Sequence, residues 1–168
     1  MCGDVKKVGI VLGSDSDLPV FEGCMDFLKK MEIPFELTIA SAHRTPDRAG
    51  EYAQTARDRG LGLIIAGAGM AAHLAGVLAA HTTLPIIGVP VDASSLNGLD
   101  SLLSTVQMPP GVPVATMGIG KSGAKNAAIL ATQIMAVSNL SLANKLADFK
   151  KEMAAQVEEK SAKVGISC

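Results

Sequence analysis

With 168 residues carrying 15 basic and 16 acidic side chains, for a formal charge of -1, the chain is sized for one domain with its own core and shows no excess of positive charge for nucleic acid. It has no Trp and one Tyr, so little is available for bases to stack on. A hydrophobic fraction of 48% with only 3% aromatic residues describes a core of small and branched side chains.

In chain order, Lys7 to Leu12 is a short continuous apolar run, the pattern of a strand buried on both faces. Gly13 to Asp17 reads as a loop. Leu18 to Met31 has helical spacing through Val20, Cys24, Phe27, Leu28 and Met31, with Asp17 as N-cap and Pro19 tolerated in the first turn. Pro34 ends the connection, Phe35 to Ala40 is a second strand, and Pro46 to Arg59 a second helix closed by Gly60.

The stretch from Leu61 to Ala80 is apolar enough to raise a membrane span, but Gly60, Gly62, Gly67, Gly69 and His73 punctuate it. It is better read as a strand over Leu63 to Ala66, a turn over Gly67 to Gly69 and an Ala-rich helix to about Ala80. Pro85 to Val89 is the fourth strand. Pro90 to Gly111 is irregular, with one short helix near Leu99 to Thr105. Val114 to Met117 is the fifth strand, and Gly120 opens a helix to about Val137. A last amphipathic helix spans about Leu140 to Lys160, and its stripe (Leu142, Leu146, Phe149, Met153) needs a surface.

Alternating strands and helices with short connections predict an α/β three-layer sandwich, a doubly wound parallel sheet of flavodoxin-like strand order 2-1-3-4-5, plus the extra C-terminal helix. The whole chain, residues 1–168, is expected to be one catalytic domain. Its core covers about residues 6–138, and the helix over about 140–160 is expected on a neighbouring subunit. Three scattered cysteines (Cys2, Cys24, Cys168) have no metal-ligand spacing and suit a reduced, cytoplasmic protein. No charged-then-apolar leader opens the chain. The expectation is a soluble protein without membrane or nucleic-acid partners.

Chemistry concentrates in Ser41-Ala42-His43-Arg44-Thr45-Pro46, which joins a strand to a helix. The carboxyl edge of an open α/β sheet is where ligands bind. An imidazole titrates near neutrality, and an adjacent guanidinium can grip a phosphate. Proton transfer on a phosphorylated small molecule is the first reading.

Three glycine-containing turns invite a phosphate-loop reading. Gly118-Ile119-Gly120-Lys121-Ser122 ends like a Walker loop, but the first glycine would fall at Ala115 within a strand. Lys121 is therefore read as a solvated helix start. Gly67-Ala68-Gly69-Met70-Ala71-Ala72 fits GxGxxA but follows the third strand, and Asp92 has no ribose role there. Its glycines point instead to backbone close to a ligand or a subunit. Gly13-Ser14-Asp15-Ser16-Asp17 offers hydroxyls and amides to an anion and a carboxylate to sugar hydroxyls, although Ser and Asp are also ordinary caps. A phosphoacceptor receiver domain would need an Asp where Gly67-Ala68-Gly69 stands.

Of the three histidines, His81 reads as a surface C-cap, His73 as a hydrogen-bonded core residue one turn into its helix, and His43 as the reactive one. They share no metal-ligand spacing, so no metal is expected.

Gly13 to Asp17, Ser41 to Pro46, Ala66 to Gly69 with Ala71-Ala72-His73-Leu74, Gly88-Val89-Pro90-Val91 and Gln107-Met108-Pro109 together resemble the 5-(carboxyamino)imidazole ribonucleotide mutase family, class I of the PurE enzymes of purine biosynthesis. The similarity covers nearly the whole chain. The resemblance implies an isomerase that moves a carboxyl group from the exocyclic nitrogen to the ring carbon of a phosphoribosyl aminoimidazole, without metal, ATP or biotin.

It implies that His43 is catalytic. Ser14, Ser16, Asp17, Ser41, Ala42, Arg44, Gly69, Ala71, His73 and Leu74 are the implied substrate-binding set, with Arg44 on the 5′-phosphate, Asp17 on the ribose and His73 near the base and carboxylate. It also implies a homo-octamer with a swapped C-terminal helix. Departures are Met70 where the family usually has Gly, Ala75 where it has Pro, and Pro110 where it often has Arg or Ser. Animal-type relatives usually carry Lys after the motif's His, so Arg44 and Ala71-Ala72-His73 favour the mutase class. The alternatives are direct carboxylation of the aminoimidazole ribotide by carbon dioxide, or a non-catalytic nucleotide-binding module.

Overall fold

A computed structural model describes residues 5–164; Cys2 and Cys168 lie outside that range. Five parallel strands form one sheet in the order β2-β1-β3-β4-β5: β1 Lys7–Leu12, β2 Phe35–Ile39, β3 Leu61–Gly69, β4 Ile86–Val91 and β5 Ala115–Thr116. The helices are α1 Leu18–Lys30, α2 Pro46–Thr55, α3 Leu74–His81, α4 Leu99–Val106, α5 Gly120–Ala136 and α6 Leu140–Val164. The expected doubly wound flavodoxin-like order is the one observed. No helix among the described residues is long and apolar enough to cross a membrane.

The sheet is covered on both sides, as its unbroken apolar runs require. Val8, Ile10 and Leu12 of β1, with Leu63 and Ile65 of β3, face α1, α5 and the start of α6. Val11, Ile64 and Ala66 point the other way, against Ala49 and Ala53 of α2 and Leu74 and Leu78 of α3. Cys24 lies in the first of these layers, where burial pushes its thiol up to about 12; it stays a thiol at neutral pH and acts as a small apolar side chain.

β3 runs on to Gly69 where a turn over Gly67 to Gly69 was expected, because Gly67, Ala68 and Gly69 pair with Val89, Pro90 and Val91. These small residues are an adaptation to crowding: a Cβ on Gly67 would stand 2.3 Å from Phe21 Cζ, and one on Gly69 2.5 Å from Ala93 Cβ. β4 carries Pro90 without penalty. The Gly88 carbonyl accepts from Met117 N–H at 2.8 Å, which puts the Pro90 nitrogen on the β5 side, where β5 has already ended. α2 stops at Thr55 rather than Arg59. The following turn tightens to three-residue bonds, such as Gly60 N–H to the Arg57 carbonyl at 3.0 Å, and Gly60 closes it at φ +84°.

The start of α6 packs within its own chain. Leu142 and Leu146 are buried, Phe149 meets Phe27 edge-on at 5.0 Å between centroids, and Lys145 and Lys30 pair with Glu32 and Glu152 at 2.6 Å each. From Lys150 onward every described residue of α6 is exposed, Met153 included.

Candidate active site

β1 feeds α1 on one face of the sheet, and β3 feeds α3 on the other. The carboxyl ends of these adjacent strands therefore splay their loops apart and open a crevice. A cleft of about 560 Å³ lies there, walled by the loops after β1, β2 and β3 and by Ala93 after β4.

The loop after β1 is a short 3-10 turn, Asp15–Asp17, held by reciprocal caps. Ser16 N–H donates to Ser14 Oγ at 3.3 Å, and Ser14 N–H donates to Asp17 Oδ2 at 3.1 Å. Asp17 heads α1 but makes no side-chain cap to it; its carboxylate reaches back to the loop instead. It is only 4% exposed, and desolvation holds its pKa above the ordinary carboxyl value, opposed by the Ser14 amide and raised further by Asp15. A carboxyl with a folded pKa above its unfolded one favours folding at low pH and loses that contribution as the pH rises through the folded value. At neutral pH Asp17 therefore costs stability.

After β2, Thr45 Oγ1 accepts from Ser41 N–H at 2.9 Å and donates to the Ser41 carbonyl at 3.1 Å, folding 41–45 into a tight turn that presents His43 and Arg44 together. Arg44 Nη2 donates to the Gly13 carbonyl at 3.0 Å and Nε to Ser41 Oγ at 3.4 Å. The guanidinium is thus anchored across two loops. It borders a second groove of about 780 Å³ along the β2 edge, where Arg48 also lies.

After β3 the chain reverses over Met70 to His73. His73 is corrected here: it is no core residue but the exposed N-cap of α3. Its Nδ1 lies 2.8 Å from His43 Nε2, with the rings edge-to-face at 75°. The contact is a hydrogen bond in which one ring nitrogen donates and the other accepts. Met70 adopts φ +56°, a left-handed conformation that costs a non-glycine residue roughly 1 kcal/mol.

All eleven site residues expected from the sequence line this one cleft: Ser14, Ser16, Asp17, Ser41, Ala42, His43, Arg44, Gly69, Ala71, His73 and Leu74. Met70 lines it too, as do Gly13, Ala68 and Ala93, four residues outside the expected set. Gly13 and Ala68 sat inside motifs already noted, whereas nothing local marks Ala93. Lys121 and His81 lie elsewhere. Lys121 is an exposed residue of the first turn of α5. His81 ends α3, but instead of capping it lies over Gly50 and pairs through Nδ1 with Gln54 Nε2 at 3.2 Å.

The cleft thus combines an anchored guanidinium, a desolvated carboxyl, serine hydroxyls and a hydrogen-bonded pair of imidazoles, against a wall of Ala68, Ala71, Leu74 and Ala93. It can hold an anion at one end and move protons at the other.

The family described as AIR carboxylase matches residues 7–156. The N5-carboxyaminoimidazole ribonucleotide mutase of Pyrococcus abyssi is 56% identical over 149 residues, covering 89% of this chain and 84% of that protein. The enzyme of the same name from Bacillus subtilis is 54% identical over 154 residues, covering 92% and 95%. Among solved structures, the crystal structure of Treponema denticola PurE superposes with a TM-score of 0.84 at 26% identity, covering 95% of this chain and 99% of that one.

Proposed function

The chain belongs to the AIR carboxylase family, and on that footing we propose that it catalyses the N5-carboxyaminoimidazole ribonucleotide mutase reaction of purine biosynthesis, in the cytoplasm. The observation that carries the reading is the His43–His73 pair, 2.8 Å apart, sharing a cleft with Arg44 and Asp17. Arg44 engages the 5′-phosphate and Asp17 the ribose, while Ser14, Ser16 and Ser41 offer hydroxyls to the phosphoribosyl group.

The chemistry needs two proton movements and no net one. Protonated His43 gives its proton to the exocyclic nitrogen as the nitrogen–carboxyl bond breaks. The bonding pair stays on nitrogen and carbon dioxide departs. The electron-rich ring carbon then attacks the carbon dioxide, forming the new carbon–carbon bond. The hydrogen on that ring carbon leaves as a proton to His43, which ends as it began. General acid–base catalysis of this kind is worth about 10²–10⁴-fold, and holding the gas beside the ring makes recapture effectively unimolecular. His73 holds the His43 ring in place between the two transfers.

The rival is direct carboxylation of the aminoimidazole ribotide by carbon dioxide, the activity in the family's description. Supplied with the carbamate in buffer stripped of bicarbonate, the protein is expected to form the ring-carboxylated product well above the spontaneous background. Turnover that appears only on adding bicarbonate would instead establish the carboxylase. Binding of both ribotides with no turnover would leave a nucleotide-binding module.

The working assembly is proposed to be a homo-octamer. Leu96, Leu99, Leu103 and Val106 form an exposed apolar stripe along α4 and the turn before it, with the 3–4–3 spacing of one helix face. The end of α6 projects unpacked. Monomers rarely leave such surfaces uncovered. Native mass spectrometry is expected to find eight copies, and a monomer at micromolar concentration would refute the assembly.

A further inference from the structure

Met70 holds a conformation that nothing among the described residues repays. Three non-glycine residues among those described have positive φ: Glu32, Met70 and Asn97. Asn visits that region readily through its short polar side chain, and Glu32 closes α1, where its N–H and that of Ile33 donate to the Lys29 and Leu28 carbonyls at 2.9 Å each. Met70 has neither excuse, and its side chain is 61% exposed, so burial offsets none of the strain. The reversal itself is forced. Gly69 is pressed against Ala93 and Val91, and Ala72 and Leu74 are buried just beyond, so the chain must turn at residue 70. A glycine would do this freely. Strain kept at a binding cleft points to use by the bound state.

The proposed reaction has one need that the polar residues cannot meet. Carbon dioxide released between the two half-steps has no net charge for Arg44 or His43 to hold, so keeping it in place calls for a cover over the cleft. Met70 lines the cleft beside Ala68, Ala71, Leu74 and Ala93, and its unbranched thioether adapts to irregular gaps. We propose that Met70 is a retention residue, which folds over the apolar end of the occupied cleft and prevents escape of carbon dioxide before recapture. This rests on the mutase reading.

The test turns over unlabelled carbamate in ¹³C-bicarbonate buffer. It measures label in the product and free aminoimidazole ribotide released per product, both corrected for spontaneous decarboxylation. Wild type is expected to show little of either. Met70→Gly is expected to raise both by about three- to tenfold, as water and gas exchange through the opened mouth, with an unchanged or higher melting temperature. Met70→Leu, of similar bulk, should restore retention. Equal label and equal release in Met70→Gly and wild type would overturn the proposal. So would dissociation of the Met70→Gly assembly on native mass spectrometry, which would make the side chain a subunit contact. If the wild-type protein forms no product from the carbamate, the mutase reading itself falls and takes this role with it.

Discussion

Replacing His43 by Asn is expected to lower turnover by about 10²–10⁴-fold while ribotide affinity, measured by calorimetry, stays within about threefold of wild type. Asn fills part of the imidazole's volume and can still hydrogen-bond to His73 Nδ1, now 2.8 Å from His43 Nε2, but it cannot exchange a proton with the exocyclic nitrogen or the ring carbon. Binding should survive because the anchored parts of the cleft do not pass through His43. Arg44 is tied to Gly13 and Ser41, and Asp17 to Ser14.

His73→Asn is the informative contrast, since it leaves the titrating group in place and removes only its partner. A His43→Asn enzyme with more than about a tenth of wild-type turnover would remove His43 from acid–base duty, because the loss would then fall below what such catalysis supplies. If His73→Asn proved the more damaging change, the two roles would have to be exchanged.

Much of the scaffold was legible because it rests on local patterns. The apolar runs of β1 and β4 and the helical spacing of α1 are one-dimensional signals, and strand–helix alternation leaves few topologies for a right-handed winding. The end of β3 was obscured because Gly67-Ala68-Gly69 has the composition of a turn. Its true reason is crowding by Phe21 and Ala93, neighbours that no window of sequence contains.

The cleft's loops were found because they stand at strand ends, where an open sheet must place its ligand. The His43–His73 contact spans 30 positions, and nothing in the apolar run around His73 separates a buried imidazole from one at a helix start. The left-handed backbone at Met70 and the backward reach of Asp17 are likewise products of how the loops close. The apolar stripe of the last helix did call for a surface, but the burial of Leu142 and Leu146 within their own chain comes from the placement of α1 and α5.

Arg44→Ala is expected to raise the KM for the carbamate by about 10- to 100-fold, the range for removing a charge-assisted bond to a phosphate, with kcat changed by less than about threefold. The side chain is exposed and its removal opens no core cavity, so the melting temperature should hardly move. What makes it effective is anchoring. Its bonds to the Gly13 carbonyl at 3.0 Å and to Ser41 Oγ at 3.4 Å hold the guanidinium before the ligand arrives, so less side-chain freedom is lost on binding. Lys at this position supplies the charge but not the planar fork that spans two loops, and Arg44→Lys should recover only part of the affinity.

The assignment to the phosphate, rather than to the carboxylate, is decided by the dephosphorylated ribonucleoside. Wild type should bind it far more weakly than the ribotide, and Arg44→Ala should bind the two nearly alike, as a cycle of changes at one contact requires. If Arg44→Ala keeps the full preference for the phosphorylated ligand, Arg44 does not touch the phosphate, and Arg48 on the neighbouring groove becomes the residue to replace.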